Sequence, residues 1–331
     1  MKYCIWNNKG GVGKSFLTYC LATEYAKRHT DEIVVVADMC PQANVSEMLL
    51  GGNGKGQENL FSLSNTNRTI AGYIKERYLR SRFEKLGTEL QYFVNVDSYN
   101  ELMPANLVLL AGDFDLDMAS RLVSSMANEP IKEAKGRAMT MLKGILDSYE
   151  QAHPDKKMTF FIDCNPSFAV YTELAVFASD RIIIPCTGDF SSLRGISKVL
   201  KLLYNVSEDI ENDSMFELEK FKEKADSLML PLPKLYLGII NKSRTYAKKA
   251  TVAYKSHEKQ IEAYFGKLNN VPVVTVKDCN NIALVVNYNG TPISSLEAKP
   301  YEVYGETSQV NADQVRTMIE DIEKVLQYLV S

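Results

Sequence analysis

The chain has 331 residues, 45% of them apolar, with a formal net charge of −3 and six cysteines. A chain this long buries roughly three quarters of its unfolded surface, enough for one large core or two modest ones. The near-neutral balance confines any nucleic-acid contact to a local patch, and no run approaches the roughly 18 to 20 uninterrupted apolar residues of a membrane-crossing helix. The cysteines (Cys4, Cys20, Cys40, Cys164, Cys186 and Cys279) form no CxxC pair and no short metal-ligand spacing. Reduced thiols in a cytoplasmic compartment are expected, and the apolar run at the start leaves no room for a signal peptide.

In chain order, an apolar run at 2–6 leads into Lys9-Gly10-Gly11-Val12-Gly13-Lys14-Ser15. Glycines there let successive backbone N–H groups turn toward phosphate oxygens while the following helix, expected to reach about Arg28, aims its positive end at them. In such a loop Lys14 reaches the β and γ phosphates and Ser15 holds Mg²⁺. The run 33–37 ends in Asp38. Residues 51–66, rich in Gly, Ser and Asn, have the composition of a flexible loop. Residues 67–106 read as a mostly helical excursion whose Lys75, Arg77, Arg80, Arg82 and Lys85 form a solvated face, so that 51–157 is a helical elaboration on one core.

Further runs follow at 107–111, 158–162, 181–185, 235–240 and 271–275, of which the second leads into Asp163 and the fourth into Asn241. Short, nearly continuous apolar runs alternating with helical segments predict a doubly wound, mostly parallel α/β sheet flanked by helices, as a single domain over 1–331. The stretch Glu208 to Glu219 reads as an exposed connection or a helix start. Lys242, Arg244, Lys248, Lys249, Lys255 and Lys259, interleaved with Tyr246 and Tyr254, make the best basic patch. From Asn311, Val315, Ile319, Ile322, Val325, Leu326 and Leu329 fall at helical spacing behind a capping box of Asn311 and Gln314, predicting a closing helix on the sheet.

The phosphate loop departs from the ordinary Walker A pattern, with Asn8 where glycine is usual and a second lysine at Lys9. It resembles the deviant Walker A loop of the ParA/MinD family. The resemblance implies a P-loop ATPase that binds ATP and Mg²⁺ and forms a sandwich homodimer, in which Lys9 of one subunit reaches the nucleotide of the other. Phe160-Phe161-Ile162-Asp163-Cys164-Asn165-Pro166-Ser167 looks like the family's Walker B strand and switch II, which implies that Asp163 holds magnesium through water. Asp38, Pro41, Gln42 and Asn44 match its switch I. Cys40 does not, since the family has there the aspartate credited with positioning the hydrolytic water.

A neutral thiol orients water poorly, so ATP hydrolysis is expected to be slow or partner-dependent. The expected site comprises Lys9, Lys14, Asp38 and Cys40 in catalysis. Gly10, Gly11, Val12, Gly13, Lys14, Ser15 and Phe16 hold the nucleotide, Asn241 faces adenine, and Ser15, Asp38 and Asp163 serve the metal. By the same resemblance the chain is a DNA-partitioning or cargo-positioning ATPase. Its dimer binds non-specific DNA on the nucleoid and answers to a centromere-binding or adaptor protein. The alternative is an ATP-binding regulatory or scaffold protein with lost hydrolysis. The tail Gln327-Tyr328-Leu329-Val330-Ser331 has no basic face, which disfavours a membrane-surface role.

Overall fold

Alternation along each strand divides the apolar side chains between two buried clusters. In β1 (Lys2–Ile5), Tyr3 and Ile5 join one cluster and Cys4 the other. In β2 (Ile33–Met39), Val34 and Val36 join the first, Val35 and Ala37 the second. Strands buried on both faces carry apolar residues at nearly every position, so these runs stand out in the sequence. The computed structural model describes residues 1–80, 86–205, 215–243, 248–277 and 280–329.

After β1 come α1 (Lys14–Arg28), β2, α2 (Asn44–Leu49), α3 (Lys55–Asn65) and α4 (Ile70–Leu79). Next are β3 (Phe93–Asn95), β4 (Leu107–Leu110), α5 (Leu116–Ala127), α6 (Lys132–Met139) and α7 (Met141–Ala152). The chain continues through β5 (Met158–Cys164), α8 (Val170–Phe177), β6 (Arg181–Thr187), α9 (Phe190–Tyr204) and α10 (Met215–Leu228). It ends with β7 (Lys234–Ser243), α11 (Lys248–Lys267), β8 (Val273–Lys277), α12 (Asn280–Asn289), β9 (Pro300–Val303), β10 (Glu306–Gln309) and α13 (Ala312–Leu329). The main sheet has the order β3-β4-β2-β5-β1-β6-β7-β8, parallel except for β3, which runs antiparallel to β4. Helices α1, α2, α3, α12 and α13 cover one face, and α4 to α11 cover the other. The mostly parallel, doubly wound sheet expected from the sequence is present, and each of its predicted runs forms a strand.

The closing helix is also present. Val315, Met318, Ile322, Val325, Leu326 and Leu329 are buried in the cluster that covers Tyr3 and Ile5, and the Tyr3 hydroxyl donates to the Leu329 carbonyl at 2.9 Å. Asn311 accepts through Oδ1 from the Asp313 amide at 2.8 Å, tying down the first turn.

Two expectations are corrected. Residues 51–66 are a tight turn followed by α3, since Leu60 and Leu63 are buried and the Gly52 amide donates to the Glu47 carbonyl at 2.9 Å. Of residues 67–106 only α4 is α-helical among the described residues. After it come two short 3₁₀ turns flanking β3, because Phe93, Val94 and Asn95 pair with β4. The β9–β10 hairpin was not expected. Arg82, Lys85 and most of the acidic stretch after Glu208 lie outside the described residues.

Candidate functional site

The carboxyl ends of β1, β5 and β2 lie side by side mid-sheet, the position at which an open α/β sheet gathers its ligand-binding loops. The loop from β1 to α1 ends at Gly13, which has φ +84° and is the N-cap of α1. That cap supplies no side chain, and no acidic residue occupies the first helical turn, so the amides there remain available to an anion. A Cβ on Gly13 would stand 2.2 Å from Asn241 Nδ2, so glycine is required by both the left-handed conformation and the close approach.

Lys14 is buried and its ammonium donates to the Asn7 and Lys9 carbonyls, at 3.2 and 2.9 Å. Burial pulls its pKa down, against the opposing pull of Asp163. Ser15 donates to Asp163 Oδ2 at 2.7 Å and Thr18 to Oδ1 at 3.1 Å, so the two hydroxyls of α1 meet the carboxylate that ends β5. Asp38 lies opposite Asp163 in the β2–β5 register. Its oxygens are occupied by the Cys40 amide (3.0 Å) and by the Ser46 amide and hydroxyl (3.0 and 2.7 Å). Burial, and the adjacency of the two carboxylates, raises the pKa of Asp163; burial likewise raises that of Asp38. Asp38 thus folds the turn into α2, whereas Asp163 is the carboxylate that meets Ser15.

Cys40 is 4% exposed and lies 3.6 Å from Asn165 Nδ2. Burial, together with Asp38 and Asp163, pushes its thiol up to about 12, so it is neutral at physiological pH. Lys9 turns back onto its own subunit. Its ammonium donates to Asp189 Oδ1 and Oδ2 (2.7 and 2.6 Å), Thr187 Oγ1 (2.8 Å) and Ser192 Oγ (3.3 Å). Partial burial opposes ionisation of Asp189, but hydrogen bonds from Lys9, Thr187 and Ser191 outweigh it and hold the carboxyl well below its usual range.

A cavity of about 700 Å³ opens beside the loop. Gly10, Gly11, Gly13, Lys14, Ser15 and Phe16 line it, together with Cys40, Gln42, Asn44, Cys164 and Pro166. Sequence reasoning missed the remaining lining residues, Glu47, Met48, Asn53, Gln57, Ala283, Asn287 and Tyr304. The glycine run at 51–56 was the available signal, since it marks close backbone crossing as readily as it marks a loop. Val12, Lys9, Asp38, Asp163 and Asn241 do not line the cavity. Val12 and Asn241, the residue expected to face adenine, are buried behind the loop, where Asn241 Nδ2 donates to the Val12 carbonyl at 2.9 Å. Of the basic patch, Lys255 and Lys259 are exposed on α11, while Arg244, Tyr246 and the side chains of Lys242, Lys248, Lys249 and Tyr254 lie outside the described residues.

The family AAA_31, described as an AAA domain, matches residues 2–216. The chromosome partitioning protein ParA of Myxococcus xanthus is 27% identical over 217 residues, which span 65% of this chain and 62% of that protein. Among solved structures, a McdA variant from Cyanothece in complex with ATP superposes with a TM-score of 0.61 at 15% identity, covering 99% of this chain and 96% of that one. A candidate plasmid partition protein of Borrelia burgdorferi B31 bound to AMPPNP gives a TM-score of 0.56 at 20% identity, covering 99% and 97%. Through that family match, a phosphate loop between β1 and α1 and a strand-ending Asp163 beneath it, the chain belongs to the AAA domain family and is a ParA/MinD-type P-loop ATPase.

Proposed function

We propose that the chain binds ATP with Mg²⁺ and acts as a ParA-like ATPase in DNA partitioning or cargo positioning, through an ATP-dependent sandwich dimer that binds non-specific DNA. The observation that carries this reading is the meeting of Lys14, Ser15 and Asp163 at the N-terminus of α1. Those residues fit the metal. A fully buried carboxylate whose charge is disfavoured, hydrogen-bonded to a serine hydroxyl at the helix start, is a donor set that a divalent cation would stabilise. Bound between them, the ion would neutralise phosphate charge. Lys14, already directed by two loop carbonyls, is positioned for the β and γ phosphates.

Lys9 reaches a partner's nucleotide only after leaving Asp189. The pair is part-exposed, with side chains 25% and 41% accessible, and such pairs contribute only about 0–1 kcal/mol, so the exchange is inexpensive. Size exclusion with light scattering tests this reading. The wild type should dimerise with ATP and remain monomeric with ADP, Lys14→Ala should lose nucleotide binding, and Lys9→Ala should bind nucleotide without dimerising. A salt-sensitive shift of DNA by the ATP form alone tests the nucleic-acid step; normal dimerisation by Lys9→Ala removes the cross-subunit role.

The neutral Cys40 thiol favours a second reading, an ATP-held clamp with little turnover. Multiple-turnover assays with and without DNA separate the two. Appreciable DNA-stimulated hydrolysis supports the partition ATPase, and nucleotide-dependent dimerisation without turnover supports the clamp.

A further inference from the structure

Beside Cys40 stands a polar side chain that neither the phosphate loop nor the metal donors use. Asn165, half-buried, is the second residue after Asp163, and its Nδ2 donates to Cys40 Sγ at 3.6 Å. Its chain neighbours Cys164 and Pro166 line the cavity of about 700 Å³, as do Cys40, Lys14 and Ser15. The amide therefore stands against the thiol that occupies the place of the family's water-positioning aspartate.

Asn165 is held from two directions. The Ser167 amide and hydroxyl both donate to its Oδ1 at 2.9 Å, which fixes the orientation of the side-chain amide. From the end of β1, Trp6 Nε1 donates to the Asn165 carbonyl at 3.0 Å, and Trp6 is itself 1% exposed, its ring tilted on Phe168 with centroids 5.1 Å apart. The side chain nonetheless keeps hydrogen-bonding capacity. Its second Nδ2 hydrogen has no partner among the described residues, and Ser167 Oγ lies 3.1 Å from the Tyr171 hydroxyl, to which it can turn and so return a lone pair of Oδ1.

We propose that Asn165 positions the attacking water in this chain, taking over from the carboxylate that Cys40 lacks. In the step it serves, the water oxygen bonds to the γ-phosphorus as the bond from that phosphorus to the β–γ bridging oxygen breaks. The electron pair of the broken bond leaves with ADP; one proton of the water passes to solvent and the other stays on the released phosphate. An amide takes no proton in this sequence, and none is asked of it. Phosphoryl transfer leaves the protein mainly positioning to do, and a side-chain amide orients the attacking water in other nucleotide hydrolases. What Asn165 supplies is a donor and an acceptor whose place is set before the reaction begins. A neutral amide accepts more weakly than a carboxylate, so hydrolysis through Asn165 is slow, yet faster than beside a thiol alone.

The proposal rests on the reading of this site as an ATPase, and AMPPNP, which is not cleaved, separates the two. Single-turnover hydrolysis with protein in excess is measured with Mg²⁺ on the wild type, Asn165→Ser, Cys40→Asp and the double variant. Titration calorimetry on the same four compares AMPPNP with ADP plus aluminium fluoride, an analogue of the phosphoryl group in transfer. Serine closes the same kind of turn but is too short to reach the thiol. Asn165→Ser should hydrolyse ATP about tenfold more slowly and bind the aluminium fluoride complex about tenfold more weakly, with AMPPNP affinity unchanged. With a carboxylate at position 40 the same substitution should cost only about twofold, a non-additivity that a turn-forming role does not produce. Equal losses in both backgrounds, or an unaltered affinity for the aluminium fluoride complex, overturn the proposal and leave Asn165 a turn residue. A wild type that binds AMPPNP yet neither hydrolyses ATP nor takes up the complex overturns it as well and supports the ATP-held clamp. One that does not bind AMPPNP removes the nucleotide reading, and the water-positioning role falls with it.

Discussion

In the proposed function, Cys40 and Lys9 are the residues whose environments bear on turnover and on pairing. The Cys40 thiol is buried between two carboxylates and kept neutral, so it has neither the charge nor the hydrogen-bonding strength to hold an attacking water. Restoring a carboxylate should therefore change rate and not affinity. Cys40→Asp is expected to raise single-turnover hydrolysis by about a hundredfold with the ATP dissociation constant unchanged; a rate that stays flat places water positioning in another group. At Asp189 the sign of the pH dependence is set by a lowered pKa. The folded state holds this carboxyl ionised where the unfolded chain, with an ordinary value near 4, begins to protonate it. The stabilisation from Lys9 is thus complete above about pH 4 and is lost as pH falls below it. Asp189→Asn should melt slightly below the wild type at pH 7, and the gap should shrink steadily as pH falls below about 4 toward the depressed folded-state value. A gap that persists in acid argues that Asn disturbs the turn into α9 by other means. The Lys9–Asp189 pair was invisible in the sequence because its partners are 180 residues apart and nothing local marks Asp189.

Among the elements, the turn between α2 and α3 carries the most structure for its length. Its glycines read as a flexible loop because composition alone does not distinguish an unconstrained turn from a crossing of two backbones. Gly52→Ala should cost about 2–4 kcal/mol in urea unfolding, since both its φ and the contact with Tyr288 forbid a Cβ. A loss under about 0.5 kcal/mol in that measurement shows the turn relaxing freely. The strands were legible because burial on both faces makes them apolar at each position, and Asp163 was legible because it ends such a run. The β9–β10 hairpin was not, since Pro300-Tyr301-Glu302-Val303 and Glu306-Thr307-Ser308-Gln309 are largely exposed and show no apolar stripe. Asn241 was placed correctly at a strand end, but the direction of its amide depends on Gly13, which leaves room for it across the loop.

For the whole molecule, the closing helix is as much a part of the sheet as the strands are. Leu326 is 4% exposed within the cluster that covers β1, and Leu326→Ala should destabilise the fold by about 2–5 kcal/mol. Differential scanning calorimetry measures this directly, and a shift below about 1 °C would mean that α13 rests on the sheet without supporting it. A membrane-surface helix, the role that the tail's composition disfavoured, and this helix would be exclusive uses of one apolar face. Here that face is spent inside the protein.

The place of β1 has a further consequence for synthesis. Strand β1 sits between β5 and β6, so its two neighbours are complete only at residues 164 and 187, and the cover over Tyr3 and Ile5 is completed only by residues 312–329. A nascent chain therefore carries its phosphate loop on a strand with no sheet partner until β5 has been made, about half-way along these residues. Nucleotide cannot assist folding before then, and the cover of β1 is secured later still. Pulse proteolysis of stalled chains should show protection of β1 only once α13 has emerged.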